Sequence, residues 1–345
     1  MADLRRRCGA GIVGAVALGL VACGTTSSPG RAAPSTAPDP VPLHAAPEPA
    51  RAPAPSTPPA GTVVALPAGS SPEGAVWDPA SGLVVVSLRS PDRLALIDAA
   101  QHRVQRLVPV AASARHLELA GPGQVLAPGE DTNQVVEVAL PSGAVTATVG
   151  VRKQPHDVAV IGPNDWYVAD EFGQAVSHVL SGRVVATFLG KLQPGGAGAA
   201  GSTGAVVDVR GRLLWLYRDG KEIGRLPAGA GPTHAIGIGG NQVVVTDTSG
   251  DQLLVYDVGV HPRLLRRVPL AGKPYGTAFD ARRGRLWITA TADNLLVGYD
   301  LTPNGLVRAA SYPTVRDAYS VAVDSASGTV VVAGESGAQL QFLHQ

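Results

Sequence analysis

The stretch KPYGTAFDARRGRLWITATADNLLVGYDL, residues Lys273 to Leu301, holds three short apolar runs separated by polar turns. Apolar and polar positions alternate within each run, the period of a strand with two different faces, and Asp, Gly and Asn bound the runs. Its opening phrase recurs. Aligned on Pro274, the copies are PEGAVWD (Pro72), ARHLELA (Ala114), PHDVAVI (Pro155), PGGAGAA (Pro194), PTHAIGI (Pro232), PYGTAFD (Pro274) and AYSVAVD (Ala318). The anchors fall 38–44 residues apart, the spacing of propeller blades. About 20 residues after each anchor a second apolar run returns: RLALIDA, QVVEVAL, AVSHVLS, RLLWLYR, QLLVYDV, NLLVGYD and AQLQFLH. The fourth copy is degenerate, because Gly195 to Gly201 offer almost no side-chain volume, and it reads as a weak strand.

Each complete copy holds four strands. In the fifth, HAIGIGG, NQVVVTDT, QLLVYDV and LLRRVPL supply strands A to D. A lone four-stranded sheet of this pattern leaves two apolar faces in water, and radial stacking buries both. The seventh copy has three strands before Gln345. The missing fourth stands at the other end of the body, where TVVALPAGSSPEG (Thr62 to Gly74) matches EIGRLPAGAGPTH (Glu222 to His234). The expectation is an all-β, seven-bladed β-propeller over residues 62–345, closed by an N-terminal strand that joins the last blade and removes the free edge.

With its Pro-Tyr-Gly-Thr-Ala-Phe-Asp opening, Arg-Leu-Trp-Ile-Thr second strand and Asp-Asn-Leu-Leu turn, the quoted segment resembles the repeats of YVTN-type and NHL-like β-propellers. That resemblance implies a fold shared by binding proteins, scaffolds, lactonases and lyases, and carries no ligand motif onto particular residues. The Gly-His and Trp-Asp marks of WD40 repeats are missing; Trp77-Asp78 ends a first strand instead.

The N-terminus reads as an address. Arg5, Arg6 and Arg7 precede an apolar stretch from Gly9 to Ala22, too short for a transmembrane helix and the right length for a signal-peptide core. It ends in Leu20-Val21-Ala22-Cys23, which resembles the bacterial lipobox. The resemblance implies a signal peptide over residues 1–22, cleavage before Cys23, and acylation of the Cys23 thiol, with palmitate-type chains anchoring the protein to the outer face of the cell membrane. Residues 23–61 are rich in Pro, Ala, Ser and Thr and poor in large apolar side chains, so they read as a disordered tether, with His44 solvated.

Composition narrows the function. Ala, Gly, Pro and Arg are abundant, the bias of a GC-rich genome such as an actinobacterial one. The two cysteines, Cys8 and Cys23, both precede the body, which excludes a disulfide framework or a cysteine metal site there. Without residues 1–22 the chain has 25 basic against 26 acidic residues, giving no electrostatic footprint for nucleic acid. Walker, HExxH and Gly-x-Ser-x-Gly motifs do not occur.

In a propeller the D–A and B–C loops open on one face. The D–A loops carry Glu73, Arg115, His116, His156, Asp157, His234, Tyr275, Asp317 and Tyr319, and the B–C turns add Asp131, Asp170, Glu171, Asp247 and Asp293. These are the candidate channel-mouth residues. His116, His156 and His234 with nearby carboxylates could hold a divalent metal; equally, such residues satisfy strand ends and turns. His178, within a third strand, is expected to face solvent, and Trp166, Trp215 and Trp287 to pack. No resident cofactor is expected. The reading favours a monomeric binding or scaffold protein of the cell envelope, taking an envelope protein or a small ligand. The alternative is a metal-assisted lactonase, hydrolase or lyase.

Overall fold

The structure, a computed structural model, describes residues 42–345. The signal peptide, the lipobox with Cys23 and the first part of the tether lie outside the described residues.

Residues 62–345 form seven four-stranded antiparallel sheets. The first runs β2 (Ser71–Asp78), β3 (Leu83–Arg89), β4 (Arg93–Asp98) and β5 (Arg103–Pro109) from inside to outside. The following blades repeat that order with inner strands β6 (Glu118–Gly121), β10 (Pro155–Gly162), β14 (Pro194–Ala200), β18 (Pro232–Gly237) and β22 (Pro274–Asp280). The quoted segment comprises β22, β23 (Arg285–Ala290) and β24 (Leu295–Thr302). The seventh blade is β26 (Ala318–Asp324), β27 (Thr329–Gly334), β28 (Gln339–His344) and, outermost, β1 (Thr62–Ala65). Val63 pairs with Gln341 and Val64 with Leu340, so the two ends of the ring share one sheet. Gln341, fully buried, fastens the joint. Its Nε2 donates to Ala60 O at 2.7 Å and Pro313 O at 2.8 Å, and its Oε1 accepts from Val315 N at 3.0 Å.

The core divides as strand alternation requires. Val84, Val86, Ala95 and Ile97 pack with Val331, Ala333, Leu340 and Phe342 of the seventh blade. Their neighbours Leu83, Val85, Leu94 and Leu96 face the other way, onto Val125, Ala127, Val136 and Val138 of the second blade. One apolar cluster lies between each pair of neighbouring blades, seven in all among the described residues. No blade has a core of its own.

The Gly/Ala run of the fourth copy is an ordered inner strand, and its small residues have a steric cause. A Cβ on Gly196 would stand 2.3 Å from Thr233 O, and one on Gly198 would stand 2.5 Å from Ala235 O. There β14 meets β18 of the next blade backbone against backbone, which only glycine permits. His178 differs from the sequence expectation. It is buried, stacked on Tyr167 with centroids 4.5 Å apart, and its Nε2 lies 2.7 Å from Asp165 Oδ1.

The later part of the region grouped with the tether lies against the ring. His44 is half-buried, its N donating to Arg210 O at 3.0 Å, and Ala52 is only 2% exposed. Composition gave no reason to expect this, because the contacts use the segment's backbone and its smallest side chain. Among the described residues no helix is long and apolar enough to cross a membrane.

Candidate functional site

Six of the seven inner strands begin with a register shift, for instance between Pro155 and Asp157, Pro232 and Ala235, and Pro274 and Thr277. A bulge lets a strand re-aim a side chain, and at these positions stand Glu73, His156, His234, Tyr275 and Tyr319. His116 lies just ahead of β6. The repeated bulge therefore gathers side chains from different blades at the channel mouth.

The three histidines meet. His116 Nε2 lies 3.2 Å from His156 Nε2 and 3.3 Å from His234 Nε2. On its other side His156 Nδ1 lies 3.1 Å from Glu130 Oε1 and 3.3 Å from Glu171 Oε2. Arg115 Nε donates to Glu130 at 2.9 Å, Arg89 stands 3.4 Å from Glu130 and 3.7 Å from Glu73, and Gln193 Nε2 donates to Glu171 at 2.7 Å.

Burial by itself would lower the affinity of His156 for its proton; hydrogen bonds to Glu130 and Glu171, with their charge, outweigh it and push its pKa up to about 9. Burial pulls His234 down to about 3, helped by the neighbouring His156, and burial with both neighbours holds His116 well below the usual range. The group is thus one imidazolium followed by two neutral imidazoles. Glu73, Glu130 and Glu171 face Arg89, Arg115 and protonated His156, three negative groups against three positive ones. Two contacts of hydrogen-bond length converge on His116 Nε2, which has one lone pair or one proton to offer.

Glu130, His156 and Glu171 each offer a ligand atom within 4.8 Å of the others, a spacing that can hold a metal ion. Two carboxylates and an imidazole suit a divalent cation such as zinc or manganese. Of the three histidines singled out in the sequence, this set contains His156 alone. Glu130 was missed because Asp131 drew attention at that turn. Its alignment with Glu171 in the next blade, Gly-Glu-Asp-Thr against Asp-Glu-Phe-Gly, was the available signal.

The other candidates separate. Glu73, Tyr275 and Tyr319 line a neighbouring cavity of about 500 Å³ with Arg89, Arg115 and Glu335. Tyr275 meets His234 edge-on at 4.3 Å. A smaller cavity of about 170 Å³ is lined by Glu130, His156, Glu171, Gln193 and His234. Asp157 turns down the channel, accepting from Ala197 N at 2.7 Å and Val158 N at 2.8 Å. It shares that level with Glu118, and burial, joined at Glu118 by the Asp157 carboxyl, raises the pKa of both. Asp317 is fully buried and accepts from Ala52 N at 2.7 Å, clasping the N-terminal segment. Asp131, Asp170 and Asp247 tie down turns, through Ser113 N, Ser177 Oγ and Gly231 N respectively. Trp166, Trp215 and Trp287 are buried packing residues.

No protein-family model matches the chain, and no curated protein sequence matches it. Solved structures do resemble it in fold. Virginiamycin B lyase from Staphylococcus aureus is 14% identical over 82% of this chain and 98% of its own, with a TM-score of 0.66. A chain of a mitotic checkpoint complex is 12% identical over 94% of this chain and 100% of its own, with a TM-score of 0.69. U3-55K is 11% identical over 84% of this chain and 100% of its own, at 0.71. At these identities the likeness establishes the β-propeller fold.

Proposed function

We propose that this chain is a lipid-anchored, extracytoplasmic binding propeller, held at the membrane through Cys23, whose loop face takes its ligand at the channel mouth. One observation carries the reading: the partly buried, charge-balanced cluster of Glu73, Arg89, Arg115, Glu130, His156 and Glu171, with Glu130 buried at its centre, beside a polar cavity of about 500 Å³. Partly exposed ion pairs contribute little net stability, whereas such perturbed groups concentrate at functional sites. Charges of both signs and two tyrosines suit a polar or zwitterionic ligand or a polypeptide. Similarity in fold to a chain of a mitotic checkpoint complex supports a partner-binding role.

A second reading is favoured by Glu130, His156 and Glu171. They would hold a divalent metal, which when bound would polarise a carbonyl. His116 and His234, both neutral, could then accept a proton beside it. Similarity in fold to a lyase accords with this alternative. Metal analysis of the purified protein decides between them. Stoichiometric metal that is lost in His156→Ala favours the enzyme. Metal-free protein that cross-links to one envelope partner, or binds one polar ligand, favours the binding role.

A further inference from the structure

Residues 44–53, HAAPEPARAP, cross the channel mouth from the fourth blade to the far side of the ring. At one end His44 N donates to Arg210 O at 3.0 Å and Arg210 Nε donates to His44 O at 2.9 Å. At the other, Ala52 N donates to Asp317 Oδ1 at 2.7 Å, Arg316 Nε to Ala52 O at 2.8 Å, and Asn294 Nδ2 to Pro53 O at 3.1 Å. Arg210 lies in the B–C turn of the fourth blade, Asn294 in that of the sixth, and Asp317 in the D–A loop entering the seventh. Eight residue steps of extended chain cover about 26 Å, enough to bridge the mouth. Between the anchors, Glu48 lines both mouth cavities.

All five contacts read the segment's main chain. The tightest side-chain fit is at Ala52, which is 2% exposed and leaves no room for a larger residue, while Ala46 packs against the apolar cluster between the fourth and fifth blades. Receptors that accept extended peptides through backbone hydrogen bonds and one small pocket bind a class of sequence. Prolines at positions 47, 49 and 53 limit the unbound conformations and so reduce the entropy lost on binding.

We propose that the loop face is a recognition groove for extended proline- and alanine-rich polypeptide, that residues 44–53 are its resident occupant, and that a like segment of an envelope protein competes for it in trans. This rests on the reading of the loop face as the binding surface and names the ligand class. An opened groove also bares the Glu130–His156–Glu171 cluster, so the same segment controls access to both.

The test uses the full chain carrying Ala52→Arg, which expels the segment while leaving the closing strand Thr62–Ala65 in place. A labelled peptide of residues 42–55 should bind this variant one to one and bind the unaltered chain at least tenfold more weakly. The same peptide with Ala52→Arg should lose at least tenfold, and an unrelated proline-rich peptide with Ala-Pro at the matching position should compete. As a second route, a protease site placed in the exposed stretch 54–58 lets the segment be cut from the ring and washed away, after which the peptide should rebind. No saturable binding to either opened protein, or equal binding of the Ala52→Arg peptide, overturns the proposal. Titration of both opened proteins with zinc and with zwitterionic small molecules reports separately on the broader reading, which survives a peptide failure if one of these binds.

Discussion

His156 should make the fold lose stability in mild alkali. Its pKa rises from about 6.5 in an unfolded chain to about 9 in the folded one. Between those values the native state holds a proton that the unfolded state has released, so stability falls as pH rises, by about 1.4 kcal/mol per pH unit. The contribution is fully present below about pH 6.5 and lost as pH passes 9, about 3 kcal/mol in all. Asp170, raised to about 7 chiefly by burial, and the pair Glu118 and Asp157 add slopes of their own, so the comparison is with His156→Gln, which keeps the Asp170 slope and alters that of Asp157 only through the loss of the His156 charge. Both proteins would be stripped of metal with chelator and unfolded in urea at half-unit steps from pH 6 to 9.5. The unaltered chain should lose about 3 kcal/mol more than the variant across that range. Parallel curves would refute a protonated His156 held between Glu130 and Glu171, and with it the charge balance of the site.

Gln341→Leu should cost about 2–4 kcal/mol in denaturant titration, since Val315 N–H and Ala60 C=O lose their buried partner; an unchanged midpoint would show that the ring closes without this fastening. Gly196→Ala should cost about 1–3 kcal/mol, because its Cβ would meet Thr233 O and the backbone of His234. It should also shift the His234 imidazole resonance, whereas Thr203→Ser, at the residue that opens the second strand of that blade and donates to Val258 O, should leave the resonance in place. If a divalent metal binds, its apparent affinity should rise between pH 6 and 9, since it must displace the His156 proton; isothermal titration in buffers of different ionisation enthalpy should reveal proton release.

Much of the architecture was legible because propellers write it twice, in strand alternation and in a repeat of fixed phase. Val84 and Leu83 differ by one position and face different neighbouring blades, and that difference is present in the alternating pattern itself. The likeness of Thr62–Gly74 to Glu222–His234 anticipated the pairing of Val64 with Leu340. Less was legible at the site. Glu130 and Gln193 entered it from turns whose sequence resembles any acidic or polar loop, and the Gly196 contact with Thr233 depends on how closely two blades approach.

Sequence by itself determined the number of blades, the strand that closes them and the faces each strand buries, because these follow from local periodicity and a repeated length. Tertiary structure decided which polar groups meet. His116 and His234 are 118 residues apart and come within 3.3 Å, and Ala52 reaches Asp317 across 265 residues. Such encounters depend on the curvature of the whole ring and on single bulges at strand starts, and no local pattern in the chain encodes them.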